Sequence, residues 1–153
     1  MKYSWNGVKV LISGVNGFVG GNLSKKLVKN GADVFGLVRS RKLKTLLHYE
    51  NIYKNITLID GELCDFKLFN RIIAEEKINV IFHLAAQVEV GVGLKNPYVT
   101  FESNVRGTYT LLESARQNPD SVNAIVVASS DKAYGAYPKE EMHHKLYHLM
   151  PLQ

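Results

Sequence analysis

Residues 8–20 read VKVLISGVNGFVG, and their backbone requirements decide the fold. Residues 8–13 form a short apolar run rich in β-branched side chains that ends at glycine, the pattern of a strand buried on both faces. Glycine then recurs at Gly14, Gly17 and Gly20. The first permits a tight turn, the second lets backbone approach a pyrophosphate, and the third allows close helix–strand packing. Residues 22–30 follow as a helix with Leu23, Leu27 and Val28 on one face and Gly31 as its stop. A strand, a glycine loop and a helix in that order point to a dinucleotide site, with the helix N-terminus facing the phosphates.

The alternation continues outward. Further strands are expected over residues 33–38, 56–59, 79–84 and 124–128, and further helices over residues 43–49, 66–76 and 97–117. Asp65 stands at the cap position before Leu68, Ile72 and Ile73, and Pro97 suits the first turn of the long helix. Alternating strands and helices specify βαβ units, whose right-handed crossovers build a parallel sheet with helices on both faces. The expected fold is therefore α/β, a doubly wound Rossmann sheet of about five strands in the order 3-2-1-4-5. Residues 1–135 read as one NAD(P)-binding half-domain and residues 136–153 as an irregular, loosely ordered tail.

Composition narrows the class. With 46% hydrophobic and 22% charged residues the chain is an ordinary globular protein, neither disordered nor fibrous. Its net charge of +5 is dispersed, which suits either a small anionic ligand or a solvated surface, and gives no footprint for nucleic acid. A single cysteine, Cys64, forbids an internal disulfide and points to the cytoplasm; it reads as a small filler at a helix start. There is no signal peptide and no run of about 18 apolar residues, so no membrane span is expected. His144 and His148 could pair on a helix, but no further ligands accompany them and no metal site is expected.

SGVNGFVG resembles the TGxxGFxG fingerprint of the extended short-chain dehydrogenase/reductases, the NAD-dependent epimerase/dehydratase family. Residues 61–65 (GELCD) resemble that family's GDLxD, residues 83–87 (HLAAQ) its HLAAQ, and residues 101–112 (FESNVRGTYTLL) its ETNVxGTxNLL helix. Residues 129–135 (SSDKAYG) resemble its active-site strand end. The ordered matches cover nearly the whole chain. They imply an NAD or NADP cofactor held by Gly14, Gly17, Phe18, Val19, Gly20, Arg39, Glu62, Leu63, Leu84, Ala85, Ala86, Gln87 and Asn104. They also imply a nucleotide-diphosphate sugar as partner, a role in the nucleotide-sugar metabolism that feeds polysaccharide biosynthesis, and a homodimer.

The nearest likeness is to nucleotide-sugar 4,6-dehydratases of the CDP-glucose type. By that resemblance the catalytic residues are Ser130, which would bond the sugar 4-hydroxyl, Asp131, which would protonate the departing 6-hydroxyl, and Lys132, which would assist proton removal at C5. Such an elimination needs an acid and a base on opposite tasks: oxidation at C4 acidifies C5, water leaves, and hydride returns to C6. Hexose 4-epimerisation is the alternative. Cofactor choice stays open: where NAD-preferring Rossmann proteins usually carry an acid after the second strand, this chain has Arg39, Ser40 and Arg41, which suit a 2′-phosphate, whereas the family's CDP-glucose members use NAD.

Two departures matter. Glu62 replaces an Asp near the adenine. The family's Tyr-x-x-x-Lys pair is missing: Tyr134 is followed four residues on by Pro138, Tyr137 by Glu141 and Tyr147 by Pro151. The remaining strands and the sugar-binding domain are also missing from these 153 residues, which are therefore expected to be inactive alone. A shortened or frame-disrupted gene product, or a non-catalytic dinucleotide-binding module, is the reading from another class.

Overall fold

Five strands form one parallel sheet in the order β3-β2-β1-β4-β5 in the computed structural model, which describes residues 4–41 and 44–130. The strands are β1 (Lys9–Ser13), β2 (Asp33–Val38), β3 (Ile56–Asp60), β4 (Val80–His83) and β5 (Ala124–Val127). The helices are α1 (Phe18–Lys29), α2 (Leu46–Tyr49), α3 (Phe66–Glu76), α4 (Val90–Lys95), α5 (Pro97–Phe101) and α6 (Gly107–Arg116). The central strand pairs on both sides, Leu11 opposite Phe35 and Ile81. This is the expected doubly wound order.

The two faces of the sheet carry two separate cores, because successive residues of a strand point to opposite sides. Leu11, Phe35, Leu37 and Ile81 pack with Leu68, Phe69, Ile72 and Ile73 of α3 and Leu111 and Ala115 of α6. Val10, Ile12, Val34, Val38 and Val80 pack on the other side with Leu27 of α1 and Leu47 of α2. Val10, Leu11 and Ile12 are fully buried, as a central strand covered on both faces requires.

Helix boundaries differ from those expected in several places, among them α2, which begins at Leu46 where a helix was expected from residue 43. α1 begins at Phe18, four residues before the expected Asn22, and it buries Gly20, Gly21 and Ser24 besides Leu27. Its inner face is made of small residues, which an apolar pattern does not register. α4 was not expected, since VGVGLK is poor in helix formers. The long helix expected over 97–117 is interrupted: between α5 and α6, Glu102–Arg106 form a π turn in which the Gly107 N–H reaches back to the Glu102 carbonyl. At α3, Asp65 caps as expected, accepting from the Leu68 N–H at 2.9 Å.

Candidate functional site

All five strands point their C-terminal ends the same way, and the segments that leave β1, β2, β3 and β4 line a cleft of about 800 Å³. Ligand clefts of open α/β sheets lie at this edge, where the chain departs in opposite directions from neighbouring strands. Here that point lies between β1 and β4, adjacent in space and far apart in sequence.

The glycine loop forms one wall. Gly14 has φ +76, and a Cβ there would meet the Ala85 nitrogen at 2.8 Å, so glycine serves both the left-handed turn and the close approach to the loop after β4. No side chain caps α1 and no acid occupies its first turn. The first N–H groups of that helix therefore remain open to an anion, with the positive end of the helix dipole behind them. Asn16 ties the loop to the end of β2, donating through Nδ2 to the Ser40 carbonyl at 3.3 Å. Its Oδ1 is buried without a partner among the described residues.

The wall after β2 is basic. Arg39 is exposed, lines the cleft, and makes no hydrogen bond or ion pair among the described residues. Arg41 differs: its guanidinium holds both oxygens of Asp60, with Nη2 at 2.8 Å, and that pairing keeps the Asp60 carboxyl below its ordinary range. Glu62 and Leu63, after β3, line the cleft as well. Cys64 lines the same wall, donates to the Glu102 carbonyl at 3.1 Å, and has its thiol pushed up by burial.

The third wall is the loop after β4. Leu84, Ala85, Ala86 and Gln87 all line the cleft. Asn104, in the π turn, grips this loop by backbone: Nδ2 donates to the Gln87 carbonyl at 2.9 Å, and the Gln87 N–H donates to Oδ1 at 2.7 Å. Beneath the loop, His83 is 3% exposed. Its Nδ1 lies 2.8 Å from Ser13 Oγ and its Nε2 lies 3.0 Å from Thr108 Oγ1, while burial lowers its pKa. The Ser13 hydroxyl oxygen accepts from the Ala85 N–H at 3.3 Å and shares the Leu84 N–H with the Ser13 backbone carbonyl, each at 3.2 Å.

Of the residues expected around a cofactor, Gly14, Gly17, Arg39, Glu62, Leu63, Leu84, Ala85, Ala86 and Gln87 line the cleft together. Phe18, Val19 and Gly20 stand behind it in the first turn of α1, and Asn104 acts one step back through Gln87. Ser40, named beside Arg39 after the second strand, lines it too, whereas Asn16, Tyr98 and Ser103 line it without having been singled out from the sequence. Tyr98 comes from α5 and Ser103 from the π turn, both far along the chain from the glycine loop. Ser130 lies beyond β5 and is exposed; Asp131, Lys132 and the tail expected over 136–153 lie outside the described residues. Among the described residues no group of three His, Cys, Asp or Glu could hold a metal, and no helix is long and apolar enough to cross a membrane.

The family model for GDP-mannose 4,6 dehydratase matches residues 11–150. The chain belongs to that family. It is 34% identical over 134 residues to a CDP-glucose 4,6-dehydratase of Salmonella typhimurium, covering 87% of this chain and 37% of that protein. It is also 34% identical over 130 residues to a CDP-paratose 2-epimerase of Salmonella typhi, covering 84% of this chain and 38% of that protein. Among solved structures, UDP-glucose 4-epimerase from Bifidobacterium longum in complex with NAD+ and UDP superimposes with a TM-score of 0.73 at 26% identity, covering 84% of this chain and 38% of that one. The chain thus spans well under half the length of these relatives.

Proposed function

We propose that the chain is the dinucleotide-binding part of a nucleotide-sugar 4,6-dehydratase. The observation that carries the binding half of this reading is the uncapped, acid-free start of α1 behind Gly14 and Gly17, a cradle that fits a pyrophosphate. Arg39 would meet the adenosine end, Glu62 and Leu63 the adenine, and Ala85, Ala86 and Gln87 the opposite side of the dinucleotide. A nicotinamide bound there supplies a hydride acceptor that later returns the hydride. The unpaired Arg39 favours NADP, whereas the Bifidobacterium relative was solved with NAD+.

Support for dehydration is the sequence Ser130-Asp131-Lys132, which follows the β5 segment in the chain. Ser130 would orient the sugar 4-hydroxyl, Asp131 would give its proton to the departing 6-hydroxyl, and Lys132 would help take the proton from C5. A 4-epimerase has no elimination step and no use for that acid, although the UDP-glucose 4-epimerase fold supports epimerisation as the second reading. The test fuses residues 1–153 to a relative's Tyr-x-x-x-Lys helix and sugar-binding domain and supplies CDP-glucose and UDP-glucose. Expected is a 4-keto-6-deoxy sugar that disappears in Asp131→Asn. A 4-epimer formed without that product would overturn dehydration.

A further inference from the structure

We infer that His83 is a positioning residue for the dinucleotide, holding residues 84–87 in one shape from both ends through Ser13 and Thr108. The inference rests on the cleft being a dinucleotide site.

Thr108 has one hydroxyl proton, and that proton goes to the Asn104 carbonyl at 2.7 Å, because a carbonyl can only accept. At the 3.0 Å contact between Thr108 Oγ1 and His83 Nε2 the imidazole must then be the donor. A neutral imidazole carries one N–H, so Nδ1 is bare and the Ser13 hydroxyl donates to it at 2.8 Å. The lone pairs of Ser13 Oγ are thereby left for the Leu84 and Ala85 N–H groups. Every polar atom of the chain is used, and only the Nε2–H tautomer uses it. An imidazolium would point a second N–H at a serine oxygen that already accepts twice.

Both arms end on the same loop. One runs from Nδ1 through Ser13 to Leu84 and Ala85; the other runs from Nε2 through Thr108 to Asn104, whose side-chain amide holds both backbone groups of Gln87. Ala85 stands against the glycine loop closely enough that a Cβ on Gly14 would strike its nitrogen at 2.8 Å. Movement of residues 84–87 therefore moves the wall that faces the phosphates. A histidine serving only as core filling would not require a fixed tautomer, nor partners that lead to the cleft.

The test uses the full 153-residue chain. Long-range 1H–15N spectra at neutral pH should give His83 a pyridine-type Nδ1 and a pyrrole-type Nε2, its signals identified by their loss in His83→Asn. Thr108→Val, which keeps the volume and leaves Nε2 without an acceptor, should weaken NAD+ and NADP+ binding alike by about tenfold, and Thr108→Ser should restore it. An Nδ1–H tautomer, an imidazolium, or unaltered affinity in Thr108→Val would overturn the inference alone. If the unaltered chain binds neither dinucleotide, the proposed function falls and takes the inference with it. Should Thr108→Val not fold, the tautomer measurement on the unaltered chain still decides.

Discussion

A Cβ placed on Gly20 would stand 2.3 Å from the carbonyl oxygen of Gly14. The obstacle is backbone, so no side-chain rotation relieves it, and α1 must move off β1 to make room. Gly20→Ala should therefore destabilise the fold by at least about 2 kcal/mol, the range of overpacked cores, and displace the helix start that faces the cleft. Urea unfolding measures the first effect and dinucleotide titration the second. A loss below about 0.5 kcal/mol would mean that the helix does not sit this close.

The two arginines after β2 should behave differently. Arg41 is engaged by Asp60 and Arg39 is not, so only Arg39 is available to a 2′-phosphate. Arg39→Asp should shift the ratio of NADP to NAD affinity by about tenfold or more toward NAD, whereas Arg41→Ala should leave it nearly unchanged. Paired calorimetric titrations of both dinucleotides check this. An unchanged ratio in Arg39→Asp would assign that side chain to the solvated surface.

That contrast between neighbouring arginines marks where sequence reading stops. The strands were legible because a run buried on both faces is written in consecutive β-branched and apolar residues, as at Val10, Leu11 and Ile12. The glycine loop was legible because each of its glycines answers a steric demand. The start of α1 was not, because Gly20, Gly21 and Ser24 make its buried face, and small residues carry no hydrophobic signal. The π turn was invisible for a related reason: it inserts a residue into the helical count without changing residue type, yet it turns Asn104 toward Gln87 and Ser103 toward the cleft. His83 belonged to a recognised motif, but its partners Ser13 and Thr108 lie 70 and 25 residues away, and no local pattern connects them.

Stability should depend on pH through His83. Burial lowers its pKa in the folded protein below the ordinary 6.5, and its polar partners Ser13 and Thr108 are uncharged. Between 6.5 and the lower folded value the unfolded chain binds a proton that the folded chain does not. Stability is therefore fully present above 6.5 and falls as pH drops through that window, by up to about 1.4 kcal/mol per pH unit. Urea midpoints measured at successive pH values, compared with those of His83→Asn, isolate this residue from the other histidines. The same slope in both proteins would show that the imidazole is already charged when folded.

The 153-residue chain should bind a dinucleotide and convert no sugar. Its glycine loop, helix start and the loop after β4 are in place, and these supply the contacts that favour a pyrophosphate. No tyrosine in the chain is followed four residues later by lysine, so the family's base at the sugar 4-hydroxyl has no counterpart among these residues. Loss of a positioned base costs about 100- to 10,000-fold. Purified chain incubated with CDP-glucose and either dinucleotide should therefore yield no 4-keto-6-deoxy product above the background of a Gly20→Ala control, while fluorescence or calorimetry registers dinucleotide binding. Turnover by the chain alone would require a base elsewhere in it, and His83 could not serve, because both its nitrogens are engaged below the cleft floor.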